Sequence, residues 1–299
     1  MARKRKGDKV DGWLVVDKPA DFSSAKIVAI AKRIFNAQKV GHGGTLDPLA
    51  TGILPVGFGE ATKTMPYIVD ATKEYQFTVK WGTATDSDDC EGEITQSGGH
   101  VPSVADVEAV LDEFVGTIEQ VPPIYSAIKV DGKRAYALAR AGVDVEIKPR
   151  SVEIQSLKHV SFNADTGESE FHVVCGKGTY VRSLGRDIAL KLGTYGHITV
   201  LRRTRVGPFS LDAAISLEKL EDMRHSARAA GDLQPITTAL DDILALAVTA
   251  QEAADIKMGR SIQNPKAKQG VCLLVNGDIP VAIAEAEGEN IRPLRVFNM

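Results

Sequence analysis

The stretch from residue 41 to residue 59 constrains the fold of this chain more than any other part of the sequence. It carries six glycines and two prolines, at Gly41, Gly43, Gly44, Pro48, Gly52, Pro55, Gly57 and Gly59. Glycine weakens regular elements, and proline removes a backbone hydrogen-bond donor. The composition therefore predicts a sharply turning, closely packed loop without a long helix or strand, and Asp47 lies within it.

Regular elements are predicted on both sides of this loop. The segment from Leu14 to Asp17 indicates a short strand, and Ser23 or Ser24 can cap a helix whose apolar residues keep helical spacing as far as Ile34. After the loop, apolar and polar side chains alternate from Tyr75 to Trp81. That period of two is typical of a half-buried strand.

The middle of the chain continues this mixture of strands and helices. Ser103 and Asp106 can form a capping box for a helix that Gly116 ends. Residues 122–150 are rich in proline and basic residues, and we interpret them as an excursion from the sheet with a short helix from Tyr136 to Arg140, ended by Gly142. Strands are then predicted near 151–160 and 170–174, and a helix between Tyr180 and Gly193.

The composition changes after about residue 245. Thr249 and Glu252 can form a second capping box, and short strands with tight turns follow to the end of the sequence. Two domains are therefore predicted. The first spans residues 1–245 and contains an insertion at about 121–150, and the second is a small β-rich module at residues 246–299.

The net charge of −3 is distributed unevenly along the chain. Residues 177–205 hold seven Lys or Arg side chains and one acid, whereas residues 85–113 hold nine acids and no Lys or Arg. If the first segment forms one face, it can follow a phosphate backbone while the acidic segment stays away from it. A solvated face without a ligand is the alternative.

Cysteine content and hydropathy indicate the compartment. The three cysteines are far apart and predict neither a disulfide framework nor a CxxC metal site, which favours a reducing environment. No apolar run approaches the ~18 residues of a membrane span. We therefore expect a soluble, cytoplasmic protein.

The glycine-rich loop is compatible with more than one kind of site. It lacks the GxxxxGK[ST] and GxGxxG orders of phosphate-binding loops, and Asp47 with His42 alone is an incomplete ligand set for a metal. What remains is a carboxylate held beside Pro48, which is either a turn residue or a catalytic group. The residues alone leave both alternatives open.

Several separated segments, in matching order, resemble the TruB family of pseudouridine synthases. They are Asp17-Lys-Pro19 with Ser23-Ser24, Gly41 to Gly52, Gly59-Glu-Ala-Thr-Lys63, Lys73-Glu-Tyr75, Pro122 to Lys129 with Gly132 and Tyr136, Gly178-Thr-Tyr-Val-Arg182, and Leu201-Arg-Arg203. The chain departs from the family at Asp21, where glycine is usual, and its C-terminal region is only generally similar.

The resemblance implies an α+β fold, in which helices flank a mixed, mostly antiparallel central sheet and a small PUA-like RNA-binding module follows. It also implies a monomeric enzyme that isomerises uridine 55 in the T-loop of tRNA to pseudouridine, with no cofactor and no metal. Because that base is stacked within the RNA loop, the enzyme would have to flip it out.

The resemblance further implies three catalytic residues. Asp47 would be the essential carboxylate, adding to C6 of the base or C1′ of the sugar or removing a sugar proton. Arg182 would pair with Asp47 and keep it ionised. Tyr75 would stack on the flipped uracil with its hydroxyl available for proton transfer, and ordinary core packing is its alternative.

Five further residues are implied to bind the substrate. His42 would fill the emptied position in the base stack, and Asp89 would contact the bound nucleotide. Tyr180 and Leu201 would line the pocket, and Lys18 would support it together with Pro19.

Two other classes of function are also considered. One is a non-catalytic RNA-binding or folding factor that holds structured RNA with residues 177–205. The other is a small-molecule nucleotide enzyme that uses the glycine-rich loop, which would bind free UMP or ATP without RNA.

Overall fold

The computed structural model describes residues 7–126, 128–130, 132–135, 138, 143, 146–223 and 233–299. Over these residues, no helix is both long enough and apolar enough to cross a membrane.

The elements of the first half of the chain are β1 (Gly12–Lys18), α1 (Ser24–Ile34), β2 (Val40–His42), β3 (Thr51–Phe58), α2 (Met65–Asp70), β4 (Lys73–Trp81), β5 (Thr83–Thr85), β6 (Ile94–Ser97), α3 (Val104–Val110) and β7 (Gly116–Gln120). Those that follow before the C-terminal module are β8 (Lys129–Val130), β9 (Lys133–Arg134), β10 (Arg150–Asn163), β11 (Glu168–Cys175), α4 (Val181–Lys191), β12 (Gly196–Val206), β13 (Phe209–Ser210), β14 (Ile215–Ser216) and α5 (Leu217–Asp222). The module contains β15 (Leu244–Ala247), α6 (Ala250–Lys257), β16 (Ile262–Gln263), β17 (Gly270–Asn276), β18 (Ile279–Glu287) and β19 (Asn290–Val296).

One large sheet organises the first part of the chain. Its strand order is β14-β1-β3-β12-β4-β11-β10-β7, with β13 paired to β12 and β2 paired to β3. The β1–β14 and β12–β3 pairs are parallel, and the other pairs are antiparallel. The predicted α+β class with a mixed, mostly antiparallel sheet is therefore confirmed.

Helices α1, α3 and α4 cover one face of this sheet and bury its main apolar core. Ile27 of α1, Val107 of α3 and Leu184 of α4 are fully buried there, together with Phe77 and Phe171 of the sheet. The two phenylalanine rings stack with their centroids 5.1 Å apart. This stacking lies at the centre of the sheet, where β4 and β11 are neighbours.

Most local sequence predictions are confirmed. Strand β4 alternates as expected, with Phe77, Val79 and Trp81 buried. The Ser23 side chain caps α1 by accepting from the N–H of Lys26, and α3 begins with the predicted capping box at Ser103. Helix α6 has the second predicted box, and α4 ends just before Gly193.

The expectation of no long regular element between residues 41 and 59 is wrong, because β3 is an eight-residue strand. Pro55 fits in it because the carbonyl of Pro55 accepts from the N–H of Gly43, just beyond the end of β2. In an antiparallel strand the N–H and C=O of one residue point to the same side. The missing N–H of Pro55 therefore falls where the β2 pairing has already ended. Gly57 fits because a Cβ there would lie only 3.0 Å from the Trp13 ring.

The predicted excursion at 122–150 agrees with what the structure describes of it. Strands β8 and β9 pair only with each other, as a small hairpin outside the large sheet. The short helix predicted from Tyr136 to Arg140, with Gly142 at its end, lies outside the described residues.

The C-terminal strands form a second sheet with the order β15-β17-β18-β19-β16, so the predicted β-rich module is present. Strand β15 crosses the domain boundary predicted at residue 245 and pairs in parallel with β17. Phe297 and Ile283 of this module share a buried cluster with Trp13 and Ile53 of the large sheet. The two sheets therefore pack against each other through a common core.

Candidate active site

The loop that carries Asp47 runs from the end of β2 to the start of β3, and buried side chains hold it from below. Ser24, at the start of α1, hydrogen bonds both backbone groups of Leu46, donating to the carbonyl at 3.0 Å and accepting from the N–H at 2.9 Å. These bonds fix the residue before Asp47 to the helix.

Lys18, at the end of β1, fixes the other side of the loop. Its ammonium is completely buried and donates to the carbonyls of Pro19, Phe22 and Pro48 at 2.8, 2.7 and 3.0 Å. Burial lowers the pKa of Lys18 to about 8, so the side chain is still mostly protonated at neutral pH. The supporting position that the sequence implied for Lys18 and Pro19 agrees with these contacts.

Arg182 lies in the first turn of α4 and reaches Asp47, as predicted. Its Nε is 2.9 Å from Asp47 Oδ2, as a close ion pair and not a linear hydrogen bond. Its Nη1 is 3.2 Å from Asp89 Oδ2 and donates to the carbonyl of Ser87, while Nη2 donates to the carbonyl of Tyr125. Four groups from three segments therefore fix one buried guanidinium.

Asp89 is buried, and its other oxygen is also engaged. Oδ1 accepts from the Ser87 hydroxyl at 2.6 Å and from the N–H of Glu91 at 3.0 Å. Both Asp89 oxygens thus contact protein groups. The Asp89 carboxylate orients the Arg182 guanidinium through the contact with Nη1.

The charges around Asp47 act on it in opposite directions. Burial raises the pKa of its carboxyl, the Arg182 guanidinium lowers it, and the nearby Asp89 carboxylate raises it. Asp47 nevertheless keeps about a third of its side chain exposed, which leaves the carboxylate accessible from the cleft.

Asp47 lies in the wall between two adjoining cavities. The smaller cavity, of about 330 Å³, is lined by Tyr75, Tyr180 and Leu201 together with Asp47 and Arg182. Its volume is at the lower end of the range for small-ligand sites. Its walls combine aromatic rings and an aliphatic side chain, which suits a flat base.

The larger cavity, of about 1040 Å³, shares Asp47 and Arg182 with the smaller one and is also lined by His42 and Asp89. Nδ1 of His42 is buried and has no hydrogen-bond partner within the described part of the chain. Burial lowers the pKa of His42, so the imidazole is neutral at physiological pH. A neutral planar ring is therefore held at the junction of β2 and the loop.

The structure thus brings together all eight residues predicted for the site. Asp47, Arg182, Tyr180, Leu201 and Tyr75 surround the smaller cavity, and His42 and Asp89 line the larger one. Lys18 lies beneath the loop. The described residues contain no group of three His, Cys, Asp or Glu side chains that could hold a metal ion.

Sequence reasoning gave no individual role to two residues of the site. Ser126 is buried and lines both cavities, and Arg203 is buried beneath the loop. Both lie in segments that match the family motifs, which was the available signal. The burial of Arg203 could not be inferred from a segment that appears uniformly basic.

The basic residues of 177–205 do not form a face that is separate from the acidic segment, because the two segments meet. Helix α4 packs beside the acidic segment 85–113, and each basic side chain of the helix has a partner of opposite sign there. The pairs are Arg182 with Asp89, Arg186 with Asp88, and Lys191 with Glu113. Outside that segment, Arg202 pairs with Asp17, Lys177 with Asp70 and Arg205 with Glu74.

Solved structures with this fold define the class of protein. The crystal structure of a Cbf5–Nop10–Gar1 complex superposes with a TM-score of 0.73 and 26% identity, covering 96% of this chain and 83% of that chain. The structure of an H/ACA RNP bound to a substrate RNA containing 2′-deoxyuridine gives 0.75 at 23% identity, covering 100% and 92%. The chain therefore has the fold of a pseudouridine synthase.

Sequence comparison identifies the family. Residues 32–181 match the TruB family pseudouridylate synthase N-terminal domain, and residues 182–246 match the tRNA pseudouridylate synthase B C-terminal domain. A tRNA pseudouridine synthase B from Caulobacter sp. (strain K31) is 48% identical over the full length of both chains. One from Ehrlichia canis (strain Jake) is 42% identical, covering 96% of this chain and 98% of its own. The chain belongs to the TruB family of pseudouridylate synthases.

Proposed function

We propose that this chain is a monomeric cytoplasmic enzyme that isomerises uridine 55 in the T-loop of tRNA to pseudouridine, with Asp47 as the essential carboxylate. The observation that carries the proposal is the ion pair between Asp47 and Arg182 in the wall of a base-sized aromatic cavity. The tRNA substrate is supported by the names of the relatives, which are tRNA pseudouridine synthases B.

The reaction breaks the N1–C1′ bond of the uridine, turns the base and joins C5 to C1′. The C5 hydrogen leaves as a proton, and N1 takes up a proton in place of its bond to C1′. This is an isomerisation with no change of redox state. Asp47 adds to C6 or to C1′, or removes a sugar proton, and each route requires its ionised form. The Arg182 guanidinium favours that form because an adjacent cation stabilises a carboxylate.

The substrate base must leave its stack to reach Asp47. The smaller cavity receives it, with Tyr75 stacked on the uracil and Tyr180 and Leu201 forming the remaining walls. His42 takes the emptied position in the RNA stack. Asp89 supports the site from the larger cavity, by orienting Arg182 and by contact with the bound nucleotide.

In this proposal the two domains of the chain have different roles. Residues 1–245 carry the chemistry, and their insertion at 121–150 grips the T-arm stem. Residues 246–299 form a PUA-like module that contacts RNA outside the reacting loop.

A tritium-release assay tests the proposal, because formation of the C5–C1′ bond expels the C5 hydrogen. We expect release from a T-arm stem-loop labelled at C5 of its uridines, and no release when position 55 is cytidine. An anticodon-arm stem-loop of equal length is the matched control. Equal release from both stem-loops would contradict the T-loop site, and the absence of release from any tRNA substrate would contradict the activity.

A further inference from the structure

Arg203 occupies the centre of the large sheet and is almost completely buried, although it carries a full charge. It lies on β12 directly between β3 and β4, where it pairs with Gly52 on one side and with Tyr75 on the other. No carboxylate lies within ion-pair distance of it over the described residues, unlike Arg182 and Arg202. An isolated buried cation is costly unless other polar groups compensate it.

The compensation comes from the loop that carries Asp47. The guanidinium donates to the carbonyl of Ile53 at 2.7 Å, of Gly44 at 3.1 Å and of Thr45 at 3.3 Å. Gly44 and Thr45 lie just before Asp47, and Ile53 follows it in β3. One planar guanidinium therefore binds backbone carbonyls that precede Asp47 in the sequence and one that follows it.

The same guanidinium also reaches the aromatic wall of the smaller cavity. Tyr75 is its direct neighbour across β4 and β12, and both residues line the smaller cavity. The side chain that holds the Asp47 loop therefore also lies beside the aromatic residue of the cavity wall.

We propose that Arg203 is a positioning residue for the isomerisation, which holds the Asp47 loop and the Tyr75 hydroxyl in fixed positions relative to each other. The inference rests on the proposed function, because it concerns the geometry between the carboxylate and the stacked base. It requires the planar guanidinium, since a lysine ammonium at the same place cannot reach the three carbonyls of Gly44, Thr45 and Ile53 at once.

The first test compares Arg203→Lys with Arg202→Lys, a neighbouring arginine that is part-exposed and paired with Asp17. Misplacement of reacting groups by about 1 Å costs on the order of 100-fold in rate. We expect Arg203→Lys to lower kcat on T-arm RNA by that order while Kd for the RNA stays within a few-fold. Arg202→Lys should keep kcat within a few-fold of the native enzyme.

A double-mutant cycle with Tyr75→Phe separates positioning from general structural support. If Arg203 acts through the Tyr75 hydroxyl, Arg203→Lys should lower kcat much less in the Tyr75→Phe background than in the native enzyme. Equal losses in both backgrounds, or a native kcat in Arg203→Lys, would overturn the proposal. It is also overturned if both Arg203→Lys and Arg203→Gln fail to fold, because the residue is then only structural.

The two proposals fail in different ways. If the native enzyme releases no tritium from any tRNA substrate, the proposed function is wrong. If the native enzyme is active and Asp47→Asn is inactive, but Arg203→Lys retains native kcat, only the role of Arg203 is wrong.

Discussion

Asp47 has two charged neighbours of opposite sign. Arg182 lies 2.9 Å from it, and the Asp89 carboxylate is bound to the other side of the same guanidinium. Arg182 therefore shares its charge between two acids, which leaves Asp47 less strongly neutralised than it would be in an isolated pair. In the proposed function, Arg182 offsets part of the effect of burial and so favours the ionised form of Asp47 that the reaction needs.

The charge of Asp89 should affect the pH dependence of the reaction. The pKa of Asp47 is raised mainly by burial and further by Asp89, so its proton should be lost above the ordinary value of 3.8. Because the reaction needs the ionised form, kcat should fall as the pH is lowered through this pKa. Asp89→Asn removes a like charge and should lower the pKa, which moves the acidic limb of the profile to lower pH.

This shift is measured as kcat against pH at saturating T-arm RNA, since kcat reports groups in the bound complex. Glu93→Gln is the matched control and should leave the limb in place, because this carboxylate also lines the larger cavity but is not among the groups that shift the pKa of Asp47. If the acidic limb of the kcat profile stays at the same pH or moves to higher pH in Asp89→Asn, Asp89 does not act on Asp47 through its charge.

The local sequence does not determine the role or the burial of some individual residues of the site. Pattern alone left Asp47 either a turn residue or a catalyst, and only the motif resemblance selected the second alternative. Arg203 lies in the basic segment as one arginine among several, and nothing local indicates that it is buried. Burial depends on which strands lie beside β12, and that is a property of the tertiary fold.

Among the elements, β3 shows how a glycine without a side chain allows one strand to pack closely against the backbone of another. Gly52 adopts a φ of +99° at the start of β3, and a Cβ there would lie 2.1 Å from the carbonyl oxygen of Arg203. The close approach joins β3 to β12 at the point where the Asp47 loop ends. The glycines that argued against a strand in the sequence are therefore what makes this strand possible.

Gly52→Ala should weaken both the fold and the site. The left-handed backbone conformation is unfavourable for alanine, and the clash adds to this cost, so we expect a loss of about 1–3 kcal/mol in unfolding free energy. We also expect reduced turnover, because the loop must shift. Gly98→Ala is the control, since its φ of +84° is also left-handed but a Cβ there meets nothing within 4 Å.

Urea unfolding and tritium release measure the two effects. Gly98→Ala should carry only the conformational cost of about 1 kcal/mol and keep full turnover. If the two variants are equally stable and equally active, the contact between Gly52 and Arg203 does not constrain the loop.

The elements that sequence predicted best are those determined by local chemistry. The alternation in β4 and the serine and threonine caps of α1, α3 and α6 depend on residues a few positions apart. Strand β3 was missed because its tolerance of Pro55 depends on where β2 ends. Local patterns do not contain that information.

In the whole molecule, long-range ion pairs bring together acidic and basic segments that are separate in the linear sequence. The acidic stretch near residue 88 and the basic helix α4 lie about a hundred positions apart, yet they form a shared network in which Arg186 pairs with Asp88. This network fixes the wall of the larger cavity. The number of charges along the chain could not reveal it, because the fold determines which segments meet.

The shared core between the two sheets is a second feature of the whole molecule, and it predicts cooperative unfolding. Phe297 is completely buried against residues of both sheets. Phe297→Ala should cost about 3–5 kcal/mol in unfolding free energy, as other core Phe→Ala changes do. Ile279→Ala in the same module, at a side chain that is largely exposed, should cost much less.

Tryptophan fluorescence during urea unfolding measures this effect, because Trp13 lies in the shared core and Trp81 lies in the large sheet. Both should report one transition that moves to lower urea in Phe297→Ala. Two separate transitions, with Trp81 unaffected, would mean that the module does not stabilise the large sheet.

The role of Asp47 is tested most directly by tritium release from T-arm RNA with Asp47→Asn, alongside RNA binding by the same variant. The substitution keeps the size of the side chain and removes the carboxylate, so the fold and the Kd should be retained within a few-fold. We predict that turnover falls below detection while T-arm RNA is still bound. Native turnover by Asp47→Asn would contradict the proposal that Asp47 is the essential carboxylate.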